Sequence, residues 1–193
     1  AEALAEVSGF NPTVIAGEEP ELCVRLRQRG WKIIRLDAEM TLHDADMHRL
    51  SQWWMRAKRC GHAYAQGYYI HGASPECMYA KEIRSGWLWG LILPLAALAL
   101  MLPTGGISLL AFGRYPLSAL LTTYKTRKRG FAWVDSIAWG LSCAVSAFPQ
   151  VFGVVKFHRD RLFNKQHQII EYKAPQALES NVLQPTNSTQ LSR

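Results

Sequence analysis

The 193-residue chain has only four cysteines, at 23, 60, 77 and 143, and no pair spaced as Cys-x-x-Cys. That argues against a disulfide framework or a thiolate zinc site, and reads as reduced thiols on an intracellular face. No charged-then-apolar leader opens the chain, which starts at Ala1 without methionine, so a processed or truncated protein is expected. Carboxylates are outnumbered, 15 Asp and Glu against 22 Lys and Arg, and the net charge of +7 suits an anionic partner. Nucleic acid is set aside, because the positive charge tracks the flanks of apolar segments and forms no groove-reading motif. Charge is scarcest between residues 85 and 124, forty positions of which only Arg114 is charged. Apolar and polar stretches are segregated, so the mean hydropathy of −0.07 conceals them.

What is present falls into five stretches. Residues 1–45 read as a compact α/β unit: a short element, a turn at Gly9, Asn11 and Pro12, a helix, then two strands. Within it "GEEPELCVRLRQRG" (17–30) sets Glu18, Glu19 and Glu21 at the mouth of a helix whose first turn suits Pro20 and which Gly30 stops. "WKIIRL" (31–36) and "MTLH" (40–43) read as the strands. From 46 to 85 comes a basic, aromatic interfacial helix and a loop. Met47, Leu50, Trp54, Ala57, Gly61 and Tyr64 give it one face, Arg49, Arg56, Lys58 and Arg59 lie off that face, and "GYYIHGASPE" from 67 is the loop.

Residues 86–124 read as a transmembrane hairpin. "GWLWGLILPLAALALMLP" approaches the roughly 20 residues that a hydrocarbon core requires. "TGG" at 104–106 turns, and "ISLLAFGRYPLSALLTTY" returns, with Trp87, Trp89, Tyr115 and Tyr124 near the ends. "KTRKRG" follows and orients the hairpin, since basic clusters stay cytoplasmic; residues 1–85 then face the cytoplasm at a cell (inner) membrane. Within 125–173 the segment "FAWVDSIAWGLSCAVSAFPQVFGVV" is long enough to span but carries Asp135 and Pro149 between basic flanks, so an amphipathic or re-entrant helix is expected. The tail from 174 to 193 reads as disordered, and its sequon at Asn187 as unused on the cytosolic side.

The acidic cluster has a plain explanation in helix capping and an i, i+4 pair between Glu21 and Arg25. It also has neighbours in a telling order. "SGFNP" (8–12), "GEEPELCVRL" (17–26), "RGWKI" (29–33) and "TLHDA" (41–45) together resemble the C-terminal half of membrane-associated family-2 glycosyltransferases. The resemblance covers roughly residues 3–67. It implies an α/β fold, the C-terminal part of a GT-A nucleotide-sugar-transferase domain, followed by α-helical membrane segments. It also implies transfer of a sugar from a nucleotide-sugar donor to a lipid-linked or glycan acceptor.

In such families the acidic motif reads Glu-Asp-x-Asp-Leu; here it is Glu18-Glu19-Pro20-Glu21-Leu22, with the spacing kept. The resemblance makes Glu19, beside Glu18, the general base that takes the acceptor proton. It gives His43 to a divalent metal (Mg or Mn), with Asp44 and Asp46 as weaker candidates. "QWWMR" (52–56) is loosely like the Gln-x-x-Arg-Trp motif, which makes Trp53, Trp54, Gln52 and Arg56 acceptor or phosphate contacts, against the simpler use of the tryptophans as interfacial anchors. No Asp-x-Asp follows a strand pattern, so the donor-binding half is expected N-terminal to Ala1 and the chain alone inactive. The alternative is a non-catalytic basic scaffold binding anionic membrane lipid.

Overall fold

The computed structural model describes residues 2–34, 36–37 and 47–164. Among them there are only helices: α1 (Glu2–Glu6), α2 (Glu18–Gln28), α3 (Leu50–His71), α4 (Ala80–Trp87), α5 (Leu93–Ala99), α6 (Arg114–Lys128), α7 (Trp133–Val145) and α8 (Ala147–Leu162). The α/β reading is therefore overturned: the fold is all-α, not the C-terminal part of a GT-A domain. Of the two expected strands, "MTLH" lies outside the described residues. Trp31–Ile34 carries β-branched residues yet forms no ladder. A strand needs a neighbour, and here Trp31 is instead drawn back onto the preceding helix, its N–H donating to the Leu26 carbonyl (3.0 Å) and its ring nitrogen to Glu6 (2.7 Å).

The N-terminal part obeys its local signals. Gly17, at φ 79°, leads into α2, and Pro20 sits in the first turn, where no N–H is missed. Gly30, at φ 84°, closes α2 with its N–H on Arg27, the paired bonds of a Schellman end. The helix α3 runs five residues beyond the expected end at Gln66, through a stretch read as loop. Packing extends it, since Tyr69 meets Phe157 at 6.0 Å between ring centres and the Tyr79 ring lies over Gly67.

The centre of the molecule is α3 against α8. Gly61 meets the main chain of Gln150, and Gly153 meets the main chain of Lys58; a Cβ at either would overlap backbone. The helices advance together, Trp54 against Phe152 and the His62 ring against Phe157. Ala65, Val154 and Phe157 are fully buried there, with Ile83 and Trp87 closing over them. Burying Phe157 alone contributes about 3 kcal/mol.

The apolar part is helical but interrupted, at Pro94 and again before Pro149. α4 passes through a π-turn (Leu88–Ile92) into α5 with the backbone helical throughout. In the π-turn Leu93 donates to the Leu88 carbonyl, and the next residue, Pro94, has no N–H for the carbonyl of Trp89. The Tyr115 hydroxyl donates to that carbonyl from α6, and the Arg114 guanidinium lies 4.4 Å over the Trp89 ring. The return begins as a 3-10 segment (Ile107–Gly113) before α6, and α6 packs along α7 where Gly140 meets the main chain of Ala119. α7 and α8 meet at 42°, because the Pro149 ring cannot sit behind the Val145 carbonyl in a continued helix. Among the described residues no single helix is long and apolar enough to cross a membrane; the bent pair α7–α8 passes by length and composition.

Candidate functional site

The acidic cluster at the start of α2 divides into a buried member and an exposed pair. Glu21 is 1% exposed. Arg25 grips it through Nε (2.9 and 3.0 Å) and Nη2 (2.8 Å), and His71 Nε2 donates to its Oε1 at 3.0 Å from the end of α3. The same guanidinium donates to the carbonyls of Val7 and Gly9 (2.7 Å for Gly9). Burial alone would raise the Glu21 pKa, but the bonds and charges of Arg25 and His71 hold it below the usual carboxylate value. One carboxylate thus ties together the "SGF" turn, α2 and α3. This is the helix-supporting pair that the Glu21–Arg25 spacing predicts, with His71 as a third member.

Residues 13–17 are strapped along α3. Gln66 Nε2 donates to the Thr13 carbonyl (2.6 Å), and Arg59 Nη2 to the Ile15 carbonyl (3.2 Å). The strap delivers Gly17 and Glu18 to one end of a cavity of about 290 Å³, also lined by Arg56, Arg59, Tyr64 and Tyr79. Gly17 is needed there: besides its positive φ, a Cβ would press to 3.3 Å from the Tyr79 hydroxyl. Burial pushes Tyr64 up to about 12 and raises Tyr79 as well, so both phenols remain neutral donors. The cavity offers one exposed carboxylate, two guanidiniums and two hydroxyl-bearing rings, a set suited to a polar, anionic ligand with a hydroxyl to deprotonate.

A second hollow of about 320 Å³ begins on the other side of Arg56 and Cys60, which line both. Its walls are Met47, Trp53 and Ala57 from the α3 side and Trp139, Cys143 and Gln150 from α7 and α8. Burial raises the Cys60 thiol despite Arg56 and Arg59, so it stays protonated.

The structure distributes the residues nominated from sequence. Glu18 lines the polar cavity, whereas Glu19 is exposed at the same helix mouth and is not among the lining residues. Gln52 is occupied at the head of α3, where its Oε1 accepts from the backbone N–H of His48 (2.8 Å) and Arg49 (2.9 Å). The two tryptophans part company: Trp53 faces the second hollow and Trp54 lies against Phe152. Arg56 stands between the cavities. His43, with Asp44 and Asp46, lies outside the described residues.

Arg59, Tyr64 and Tyr79 were not foreseen. For the first two a signal existed, because positions 56, 59, 60, 63 and 64 share a helical face, but the period was traced on the apolar set. Tyr79 stands at the head of α4 and His71 in the last turn of α3, and no spacing links either to α2.

Among the described residues no three His, Cys, Asp or Glu side chains are grouped to hold a metal ion. No family model, curated protein or solved structure matches the chain.

Proposed function

We propose that this chain is the acceptor-side, membrane-embedded part of a glycosyltransferase that moves a sugar from a nucleotide-sugar to a lipid-linked or glycan acceptor at the cytoplasmic face of the cell membrane. The observation that carries the reading is the cavity at the mouth of α2, which Glu18 lines together with Arg56, Arg59, Tyr64 and Tyr79. In the transfer the acceptor oxygen attacks the anomeric carbon, its proton passes to a carboxylate, and the nucleotide diphosphate leaves with the electron pair of the broken bond. Glu18 is positioned as that base; Glu19, the residue nominated by the family-2 resemblance, is one position further at the same helix mouth. The guanidiniums serve phosphate oxygens. The donor's nucleotide is assigned no subsite on the described residues, so the 193-residue chain alone should bind acceptor without turning it over.

The surface supports the membrane part. Leucines 95, 98, 102, 110, 117 and 120 are all exposed, Leu102 to 84%, and Val134, Trp139 and Phe152 continue the apolar surface onto α7 and α8. Apolar exposure on this scale marks a surface that meets lipid or protein. Arg127 over the Trp133 ring, at 5.2 Å, sets a cation and an aromatic together at the basic C-terminal end of α6, as at a headgroup boundary.

The test is transfer of labelled sugar in native membranes by the full reading frame that contains this chain. Glu18→Gln should leave membrane retention intact and cut transfer by about 10²-fold or more. If Glu19→Gln does so and Glu18→Gln does not, the base is Glu19. If neither variant affects transfer, the acidic mouth is no catalytic site. Full membrane retention with no transfer by the unaltered protein favours the other reading that the basic loop and apolar surface allow, a scaffold binding anionic lipid.

A further inference from the structure

We propose that the hollow between α3 and the α7–α8 bend is the seat of a lipid phosphate, holding a hydrocarbon chain with its phosphate on Arg56. The proposal rests on the transfer reading only in making that lipid the acceptor; the seat itself is a claim about binding.

The hollow and the polar cavity share a wall. Arg56 and Cys60 line both, so a molecule entering the apolar side reaches a guanidinium before it reaches Glu18. A ligand that fills both must be apolar at one end and anionic at the other. Among the described residues that line the hollow, the one charged side chain is that of Arg56, at the seam. Arg59 lines the cavity beyond it, so a phosphate at the seam would have two guanidiniums within one turn of α3.

The apolar end matches a chain rather than a flat ring. Trp53 and Trp139 supply side walls from two different helices, and Met47 and Cys143 contribute soft, adaptable sulfur surface. At about 320 Å³ the hollow is at the small end of ligand pockets, which suits one chain rather than a two-chain phospholipid.

The bend creates the opening. A straight α7–α8 helix would carry residues 139–146 along a single axis; the 42° turn before Pro149 swings them away from α3, while Gly61 and Gly153 keep α8 itself in backbone contact. The hollow is thus the gap between a helix pair fixed at one end and bent at the other. Trp139 and Phe152, beside it, belong to the exposed apolar surface, so a chain can slide in from lipid without crossing water.

Photo-crosslinking of the 193-residue chain in nanodiscs reads this without any sugar donor. The probe is a long-chain alkyl monophosphate with a mid-chain diazirine, and adducts are mapped by mass spectrometry. Adducts should concentrate on residues 53–60 and 139–146, and unlabelled alkyl phosphate should compete them away at least tenfold better than the matching alcohol or inorganic phosphate. Ser142→Trp, which fills the hollow, should abolish them. Arg56→Gln should keep the chain adducts but remove the preference of phosphate over alcohol. Adducts spread evenly over the leucines of α5 and α6, or equal competition by the alcohol, would overturn the proposal and show bulk lipid alone. Competition by inorganic phosphate as strong as by alkyl phosphate would overturn it too, since the chain would then contribute nothing. A mapped, phosphate-dependent seat in a protein whose full reading frame transfers no sugar would sink the transfer reading and leave the seat standing.

Discussion

Replacing Glu21 by alanine removes the acceptor that joins α2 to the end of α3 and anchors the guanidinium holding the N-terminal turn. Its carboxylate receives three contacts from Arg25 at 2.8 to 3.0 Å and one from His71 at 3.0 Å, in a position 1% exposed to solvent. Removing one partner of a buried ion pair costs about 3–5 kcal/mol, chiefly through the charge left behind. Two features pull the figure to the lower end. The Arg25 side chain is 21% exposed, so water can reach it, and it keeps its bonds to the Val7 and Gly9 carbonyls. The expected loss is therefore about 3 kcal/mol.

Glu21→Gln should cost less, about 2 kcal/mol, because an amide oxygen still accepts but no longer balances the guanidinium. Glu19→Ala, two positions away on the same helix but exposed, should change stability by less than about 0.5 kcal/mol. Denaturant unfolding in mild detergent, followed by far-UV circular dichroism, compares the three variants. Proteolysis between residues 6 and 18 gives a local readout, as an Arg25 no longer held by Glu21 should grip the turn at Val7 and Gly9 less firmly, and cleavage there should be faster in Glu21→Ala than in Glu19→Ala. Equal small losses for Glu19→Ala and Glu21→Ala would refute the account of Glu21 as a buried three-way tie.

The same carboxylate predicts a pH dependence. Its folded pKa lies below the ordinary carboxylate value of 4.5, so its contribution is fully present above that value and is lost as pH falls through the lower, folded pKa; acid titration of stability should show a step below pH 4.5 that Glu21→Gln lacks. Gly61→Ala should cost about 2–3 kcal/mol or more, because the added methyl meets the Gln150 main chain, whereas Gly113→Ala, with open space around its Cβ, should be neutral or slightly stabilising in a thermal melt. Tyr115→Phe should cost about 1–3 kcal/mol by orphaning the Trp89 carbonyl, and faster amide hydrogen exchange across Leu88–Leu93 would locate the damage.

How much of this could be read from the chain alone differs by segment, for physical reasons. Local chemistry was legible wherever it acts within one turn. Gly17, Pro20 and Gly30 bound α2 as their backbone preferences require, and Glu21 pairs with Arg25 across one helical turn. "WKIIRL" misled because β-branched residues favour a strand only when a neighbouring strand is there to pair with, and sequence does not announce the missing neighbour. "GYYIHG" misled in the opposite sense: its glycines suggested a loop, but Gly67 is the space in which the Tyr79 ring lies, and the tyrosines and His71 hold the helix together by packing that only the fold reveals.

The candidate site shows the same division. Carboxylate and guanidinium groups drew notice as motifs, yet what makes Glu18 rather than Glu19 the cavity residue is the strap of residues 13–17, held by Gln66 and Arg59 from some fifty positions away. A strap of this kind sets a side chain's direction without altering its spacing, which is why motif order names Glu18 and Glu19 together and cannot tell which of them lines the cavity. Gln66 itself does not line the cavity; it acts through its bond to the Thr13 carbonyl. Cutting this bond with Gln66→Leu should release Thr13, loosen the approach of Gly17 and Glu18 to the cavity, and lower transfer in the full reading frame as far as Glu18→Gln does, while Gln66→Glu, which still accepts from the Ile15 N–H but cannot donate to Thr13, should lower it less.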